Sequence, residues 1–239
     1  YVSHSIFDAL LKGDSLADWY ARADVLKLQN RTVLIGPSES NALPPAVRAD
    51  EKIWTIDKRP RVTVGRAVAN SQIYFTGLTV FQKDCGLWFG VRWFEQDTET
   101  EQLLKDALTD LGDAGLGGER NAGFGQCKIE MKGTLELPDA TGEHWVTLSR
   151  YLPNEKEMDA LRRGVAYGIE NIGGWVLSQG HKSQRRRAIR VLKEGSVLGR
   201  VERAAPGEIV DVQPNYDEKE SFGHAVWRSG RALAVGTQI

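Results

Sequence analysis

The chain is poor in cysteine and histidine, and the few that it has form no metal-binding or disulfide pattern. Its 239 residues include two cysteines, Cys85 and Cys127, too few and too far apart for a zinc quartet or a disulfide framework. The four histidines, at positions 4, 144, 181 and 224, lack the spacing of metal ligands. We therefore expect no metal and no other cofactor. The low cysteine content is typical of a reducing compartment, so we expect a cytoplasmic protein.

Long apolar runs and familiar catalytic motifs are also missing. No segment approaches the roughly 20 apolar residues that a membrane span needs, and the first residues do not form a signal-peptide pattern. Neither a Gly-x-Ser-x-Gly motif nor a Gly-Lys-Ser/Thr motif occurs. These absences predict a protein that has no membrane partner and no catalytic residues of its own.

An excess of charge of one sign is lacking as well, although charge is unevenly distributed along the chain. The net charge of −1 argues against a protein that coats nucleic acid generally, because such proteins are strongly basic. Between positions 182 and 203, however, eight basic residues accompany two acidic ones, while positions 97–101 and 217–220 are acidic. Patches of opposite sign predict one polyanionic partner and one protein partner.

Glycine is concentrated in one segment, from Gly112 to Gly125, which has six glycines in fourteen positions. Glycine permits positive φ and lets another molecule come close to the backbone. Dinucleotide-binding and P-loop motifs run strand, loop, helix, whereas here a predicted helix precedes the loop and a predicted strand follows it. This order, with Arg120 in the loop, favours contact with a nucleic-acid backbone. A tight structural connection is the alternative.

Periodicity and turn signals place helices and strands on both sides of this loop. We predict a helix over 3–11, a long irregular region to about 71, and a β-hairpin of strands 72–81 and 87–93. A helix with a capping box starts at Thr98 and ends at Gly112. Further predicted elements are strands 126–131, 145–149, 174–177, 188–192 and 232–235 and a helix over 155–167.

This order of elements predicts an α+β fold with tandem ferredoxin-like domains. The first domain is expected to span residues 1–132 and the second residues 133–239. The first domain is expected to lack its N-terminal strand and helix, which would leave unpaired strand edges and make the chain poorly soluble alone.

Two arginine-bearing segments add to the glycine loop. The run Arg185, Arg186 and Arg187 suits RNA or phosphate, with a charged strand edge as the alternative. The segment 59–71 has the composition of a hairpin that orders on a polyanion, or of an ordinary loop. Phe124 and Trp227 are candidates either for base stacking or for the core.

Several segments together resemble a known family. The segment 111–125 resembles the glycine-rich loop of RAMP-superfamily CRISPR proteins, and segments 146–153, 193–197 and 223–236 are similar to the fourth, Cas-five-like Csm subunit of type III-A effector complexes. The resemblance covers nearly the whole chain. It implies tandem ferredoxin-like (RRM-like) domains and a subunit without catalytic activity that holds the 5′ handle of crRNA. It also implies two protein partners, the large polymerase-like Cas subunit and a backbone RAMP subunit of the Csm filament.

The resemblance also assigns roles to individual residues. It implies phosphate contacts by the loop, contacts near the handle–spacer junction by a protruding thumb over 61–71, and a tail motif around His224. In that motif this chain has Ala225 where proline is common and Trp227 where tyrosine is common. With the basic run included, the expected RNA-binding residues are Arg61, Arg66, Asn70, Ser71, Gly115, Gly117, Gly118, Arg120, Asn121, Gly123, Phe124, Gly125, Arg185, Arg186, Arg187, His224 and Arg228.

Two rival functions stay open at this point. A crRNA-processing endoribonuclease of the Cas-six type also has a glycine loop and tandem ferredoxin-like domains. Such nucleases often use histidine for proton transfer, and His4 on the first predicted helix is the candidate. The other rival is a pure protein scaffold whose glycine loop packs against a neighbouring subunit.

Overall fold

A computed structural model of the protein describes residues 1–64, 71–176, 183–214 and 223–239, without the side chains at positions 64 and 121. It contains two compact units, one formed by residues 1–88 with 138–239 and the other by residues 89–137. Helices occur together with small antiparallel sheets, which confirms the α+β class. The tandem ferredoxin-like arrangement and the division after residue 132 stay predictions. No helix in the described ranges is both long and apolar enough to cross a membrane.

The N-terminal region is more regular than its sequence suggests. Helix α1 (His4–Leu11) lies where the apolar spacing predicted it, with Ile6 and Leu11 buried on one face. The region that follows was expected to be irregular, and this prediction is wrong. It contains α2 (Leu16–Ala21), β1 (Leu26–Leu28), β2 (Val33–Ile35), α3 (Pro37–Ser40) and α4 (Pro45–Asp50). Elements of three to six residues are too short to show a clear hydrophobic period.

The strands β1 and β2 pair antiparallel and carry the core of this region. Two small apolar clusters form on them. One cluster contains Leu28, Val33, Ile35 and Val47, and the other contains Ile6, Val25 and Leu34.

A long two-stranded ribbon follows. Strand β3 (Trp54–Val64) pairs antiparallel with β4 (Ser71–Phe81) over eleven residues each, so the ribbon is about 36 Å long at ~3.3 Å per residue. The predicted strand 72–81 is confirmed, but its predicted partner is wrong, because β4 pairs with the preceding β3 and residues 87–93 form no strand. In the sequence, Pro60 disfavours a strand at the position of β3. A two-stranded ribbon has only edge strands, and proline is tolerated at an edge.

The unit formed by residues 89–137 is built on one long helix, α5 (Thr98–Ala114). The helix is confirmed, but both of its ends differ from the prediction. The N-cap of the helix is Asp97, and not the capping box predicted to begin at Thr98. The Asp97 carboxylate accepts hydrogen bonds from the backbone N–H groups of Glu99 and Thr100 at 3.3 and 2.9 Å. The helix continues through Gly112 and ends before Gly115, whose φ is +86°. The strand predicted over 126–131 forms no ladder with any described residue.

The C-terminal part is organised around β5 (His144–Thr147), the central strand of a sheet with the order β10 (Val197–Gly199), β5, β13 (Ala234–Thr237). A 3-10 turn (Glu155–Glu157) leads into α6 (Met158–Arg162), which is shorter than the predicted helix. Trp145, Tyr151 and Leu198 form the buried centre, and the indole of Trp145 donates to the Gly199 carbonyl over 2.8 Å.

Three short ribbons complete this part of the fold. They pair β6 (Ile169–Ile172) with β9 (Ile189–Leu192), β7 (Trp175–Val176) with β8 (Gln184–Arg185), and β11 (Ile209–Asp211) with β12 (Trp227–Ser229). The strands predicted near 145–149, 174–177, 188–192 and 232–235 are thus confirmed in place, with shifts of one or two residues at their described ends; Leu177 lies outside the described residues.

Candidate nucleic-acid interface

The base of the glycine-rich loop is closed by backbone contacts that only glycine permits. The N–H of Leu116 donates to the carbonyl of Gly125 over 2.8 Å. A Cβ at Gly125 would lie 2.1 Å from the Leu116 carbonyl oxygen, and a Cβ at Gly115 would lie 2.7 Å from that of Phe124. A Cβ at Gly112 would meet a backbone oxygen at 2.6 Å. These three glycines are required by the loop itself, so the structural alternative accounts for part of its composition.

The glycines at the tip of the loop are in open space. A Cβ at Gly117, Gly118 or Gly123 would have no atom within 4 Å. Gly117 and Gly123 have φ values of +92° and +82°, which explain the choice of glycine there. Gly118 has neither constraint, so nothing in the described part of the chain explains its missing side chain. Such a position suits the close approach of another molecule.

Arg120 begins a short exposed 3-10 turn (Arg120–Ala122) at the same tip. The turn is held by two backbone bonds, from Ala122 to Glu119 over 2.9 Å and from Gly123 to Arg120 over 3.0 Å. Asn121 lies within this turn. Phe124 follows it and is half-buried. The tip therefore presents an exposed cation beside uncovered backbone, the combination that binds phosphate groups.

The expected thumb corresponds to the far end of the β3–β4 ribbon. Arg61 lies opposite Tyr74, and Ser71 is the first residue of β4. Arg66 and Asn70 lie outside the described residues. Residues two apart on a strand share a face, so Arg61 lies on the same face as Arg59. The outer half of this face is polar and basic, with Arg59, Arg61 and Thr63 opposite Thr76, Tyr74 and Gln72, whereas its inner half carries Asp57 opposite Leu78 and Thr55 opposite Val80.

The other face of the ribbon is apolar. It carries Val62 opposite Ile73 and Pro60 opposite Phe75, and the next pair, Lys58 opposite Gly77, separates this stripe from Ile56. Val62, Ile73 and Phe75 are 57%, 64% and 66% exposed. A contiguous exposed stripe of this kind marks an interaction surface in a soluble protein.

The three consecutive arginines of the basic run have three different surroundings. Arg185 lies across from Trp175, with its Cζ 5.2 Å from the ring centroid. Arg186 donates from Nε and Nη2 to the Gly173 carbonyl at 3.0 and 2.7 Å. Arg187 donates from Nη2 to a backbone carbonyl of β11. The run is therefore not one continuous basic face.

Arg228 of the tail motif is influenced by the positive charge of Arg186. Arg228 lies on β12 and is half-buried, and its pKa is lowered first by burial and then by the positive charges of Arg186 and Arg150. Arg150 was not among the expected RNA-binding residues. It lies in a segment quoted for the family resemblance, but no local pattern distinguishes it from other surface arginines.

His224 is exposed, and its Nδ1 lies 3.0 Å from the carbonyl oxygen of the next residue. The neighbouring Asp211 carboxylate accepts from the backbone N–H groups of Val226 and Gln213 at 2.8 and 2.9 Å. These two bonds hold the pKa of Asp211 below its usual value, and the charges of Arg187 and His224 lower it further. The tail motif is thus fixed to β11 by the Asp211 carboxylate as well as by the β11–β12 ladder.

His4, the residue on which a nuclease would depend, is the first residue of α1. Its Nδ1 lies 3.4 Å from Oδ2 of Asp8, one helical turn further on, and both side chains are about half exposed. This is the geometry of a surface pair at i and i+4, which contributes little to stability.

Comparison with known proteins gives a match over part of the chain. Residues 140–237 match the family model of the CRISPR Csm4 C-terminal domain. The chain is thus similar to Csm4 proteins, which confirms the resemblance to a fourth Csm subunit. The matched range contains the strands β5 to β13, and with them Arg150, Arg186 and Arg228.

Three curated relatives illustrate the extent of the similarity. The CRISPR system Cms protein Csm4 of Mycobacterium tuberculosis is 32% identical over 143 residues, which cover 58% of this chain and 45% of that protein. The protein of the same name from Thermococcus onnurineus is 27% identical over 183 residues, with 75% and 54% covered. That of Streptococcus thermophilus is 26% identical over 184 residues, with 74% and 56% covered. The chain spans about half the length of the curated relatives that it matches.

Proposed function

We propose that this chain is a non-catalytic RNA-binding subunit of a cytoplasmic type III-A Csm complex, in which it holds the 5′ handle of crRNA. Its RAMP-type architecture would consist of two ferredoxin-like domains, 1–132 and 133–239. The observation that carries the proposal is Gly118, an exposed glycine that neither backbone conformation nor internal contact explains, next to the exposed Arg120. The similarity to Csm4 proteins supports the place in a Csm complex.

The geometry of the loop tip suits phosphate contact more than base recognition. Uncovered backbone and a guanidinium bind phosphodiester oxygens, and such contacts fix register without reading sequence. Base contacts must then come from exposed aromatic side chains, which stack on unpaired bases. Trp175 and Trp227 are 63% and 67% exposed in the C-terminal part of the chain and are the candidates.

The same proposal gives the chain two protein neighbours, the large polymerase-like Cas subunit and a backbone RAMP subunit. The apolar face of the β3–β4 ribbon supports a protein neighbour, because the fully buried centre of a subunit interface is apolar. The polar face of the ribbon, with Arg59 and Arg61, is left for RNA.

A binding titration with labelled crRNA tests the proposal on the full chain and on the reconstituted complex. The variant Gly118→Ala should weaken RNA binding about tenfold, which corresponds to ~1.4 kcal/mol, with no change in thermal unfolding. Gly90→Ala is the matched control, because Gly90 also lies in open space without a positive φ; it should change neither quantity. Arg120→Gln should weaken binding and reduce the slope of log K against log salt by about 0.7.

Three outcomes would overturn this assignment. Unchanged handle retention in both Gly118→Ala and Arg120→Gln would remove the loop tip from the interface. Complex assembly and crRNA retention that do not respond to salt would favour the scaffold. Cleavage of repeat RNA by the chain, lost in His4→Ala, would establish the nuclease instead.

A further inference from the structure

The β6–β9 and β7–β8 ribbons follow one another along the same two segments of chain, with a bulge between them. The last pair of the first ribbon is Ile172 with Ile189, and the first pair of the second is Trp175 with Arg185. Two residues therefore connect the ribbons on one strand and three on the other. One extra residue of this kind is a β-bulge, which bends the strands and re-aims the side chains beyond it, and bulges are frequent beside functional sites.

Arg186 occupies the bulge and holds its shape. Its backbone N–H donates to the Gly174 carbonyl over 3.0 Å, and its Nε and Nη2 donate to the Gly173 carbonyl over 3.0 and 2.7 Å. A Cβ at Gly174 would lie 2.8 Å from Nη2, so a larger residue there would displace the guanidinium. The start of the β7–β8 ribbon is therefore positioned by contacts within the chain itself.

Trp175 lies directly beyond this bulge. The Cζ of its cross-strand partner Arg185 lies 5.2 Å from the ring centroid, which is the distance of a cation–π contact. This contact orients the indole, and 63% of Trp175 is nevertheless exposed. An oriented and exposed indole offers the surface on which an unpaired base stacks.

Trp227 is as exposed as Trp175, at 67%, but it has a different partner across its strand. This partner is Asp211 on β11, whose carboxylate accepts from the Val226 N–H over 2.8 Å. A nucleotide that stacks on an indole brings its phosphate close to the groups beside the ring. A guanidinium attracts that phosphate, whereas a carboxylate repels it. The cross-strand partners therefore favour Trp175 over Trp227.

We propose that Trp175, oriented by Arg185, stacks on one unpaired base of a single-stranded RNA. An indole face accepts any base, so this contact adds affinity without sequence specificity. The inference rests on the proposed function and deepens it, because it assigns a base contact to the β7–β8 ribbon beside the phosphate contacts of the loop tip. Stacking neutralises no phosphate, so its contribution should not depend on salt.

Titration of the full chain and of the reconstituted complex with labelled crRNA at several salt concentrations tests the proposal. Trp175→Ala should weaken binding about tenfold without changing the salt slope, which separates it from the loss of a phosphate contact. Trp175→Phe keeps an aromatic face and should retain most of the affinity. Trp227→Ala is the matched control and should change neither affinity nor slope. Thermal unfolding should be the same in all three variants, because both indoles are exposed.

A second measurement moves the change from the protein to the RNA. In a series of crRNAs that each lack one base but keep every phosphate, one position should weaken binding to the unsubstituted chain as much as Trp175→Ala does. The same RNA should cause no further loss in Trp175→Ala, because the two changes remove one contact. In Trp227→Ala the loss from this RNA should be as large as in the unsubstituted chain.

The outcomes separate this inference from the proposed function. If Gly118→Ala weakens RNA binding while Trp175→Ala does not, Trp175 only joins the two strands, and the proposed function stands without the stacking contact. Loss of a protein subunit from the complex in Trp175→Ala, with unchanged affinity for crRNA, would make the ring a protein contact and overturn the inference. If the unsubstituted chain and complex bind no crRNA, the proposed function itself fails.

Discussion

Gly118 and Gly125 belong to the same short loop, yet the structure uses them for different purposes. Gly125 has a φ of +81° and lies against the Leu116 backbone, whereas a side chain at Gly118 would extend into open space. The sequence does not distinguish the six glycines from one another, and it predicts only that the conformation of the loop requires glycine. Which glycine closes the loop and which one leaves room for a ligand depends on contacts between its two ends.

Gly125→Ala should destabilise the loop by about 1–3 kcal/mol, because the new Cβ meets a backbone carbonyl and the φ is left-handed. Hydrogen exchange of the Leu116 amide, which donates to the Gly125 carbonyl, measures the effect directly. Gly118→Ala is the matched substitution and should change stability by less than about 0.5 kcal/mol. Equal protection of Leu116 in both variants would contradict the division of the glycines into two kinds.

Glu157 is a buried carboxylate whose partners are all supplied by the chain. Its oxygens accept from the Tyr151 hydroxyl at 3.1 Å and from the Gly207 N–H at 3.1 and 3.0 Å, and Arg203 lies 3.6 Å away. Glu157→Gln replaces an acceptor with a donor among these groups and should cost about 2–4 kcal/mol in urea unfolding. Glu155→Gln, two positions earlier and exposed, should cost less than about 0.5 kcal/mol. Similar losses in the two variants would show that Glu157 is not a structural anchor.

Among the elements, length decides how much the sequence reveals. Helix α5 runs for 17 residues, so its apolar period is repeated often enough to be recognised. Pro37 and Pro45 indicate turns in a sequence, but each is the first residue of a short helix, a position whose N–H has no partner within the helix. The pairing of β4 with β3 could not be predicted from the local sequence either. Pro60 and the arginines on both sides of it are unusual in a strand, so β3 itself was not predicted.

The N-cap of α5 should make this helix sensitive to acid. The Thr100 hydroxyl, followed by the N–H groups of Thr100 and Glu99, holds the pKa of Asp97 below its usual value. A carboxylate with a lowered pKa stabilises the folded state above its unfolded pKa of about 3.9, and this contribution is lost as the pH falls through the lower folded value. Exchange of the Thr100 amide should therefore stay slow from neutral pH to about pH 5 and accelerate below about pH 4 relative to its intrinsic rate.

The variant Asp97→Asn separates the cap from its charge. Asparagine still caps a helix but does not titrate, so the acid dependence of Thr100 exchange should disappear while protection at neutral pH is largely kept. Asp97→Ala should lose protection at every pH. An unchanged acid profile in Asp97→Asn would mean that another group controls this end of the helix.

The β3–β4 ribbon should tolerate polar substitution on its apolar face. Phe75 is 66% exposed, so Phe75→Ser should change the free energy of unfolding by less than about 0.5 kcal/mol. It should, however, reduce self-association of the isolated chain, measured by sedimentation, because it interrupts the exposed apolar stripe. Gln72→Ser on the polar face is the control and should leave self-association unchanged. A large loss of stability in Phe75→Ser would show that this face belongs to the core of the chain.

At the level of the whole molecule, the candidate site could be predicted only in part. The basic run and the tail are each recognisable from the sequence, and the charge of Arg186 on the first acts on Arg228 in the second. Arg150 was missed because its ion-pair partners, Glu170 on β6 and Glu194, are distant in the sequence, and no sequence pattern predicts that these segments meet. Arg185 and Arg187 were included for the opposite reason, since a run of like residues does not show that successive side chains point in different directions and find different partners.

The two ends of the described chain are also joined, a feature that local patterns do not predict. The Leu11 carbonyl at the end of α1 accepts from the Gln238 N–H at 2.8 Å and from the Thr237 hydroxyl at 3.0 Å. Thr237 is buried at the end of β13, which pairs with the central strand β5. The last strand therefore stabilises the first helix as well as its own sheet.

Thr237→Val keeps the shape of the side chain and removes the hydroxyl, leaving a carbonyl with one bond fewer. The cost should be about 1–2 kcal/mol, and it should be shared, because the bond that is lost connects the N-terminal helix to the C-terminal sheet. Hydrogen exchange followed by mass spectrometry should show faster exchange in peptides from both α1 and β5. Thr141→Val, at an exposed threonine, should change neither peptide. Faster exchange confined to the C-terminal peptides would mean that α1 is held by its own apolar cluster around Ile6 and not by the last strand.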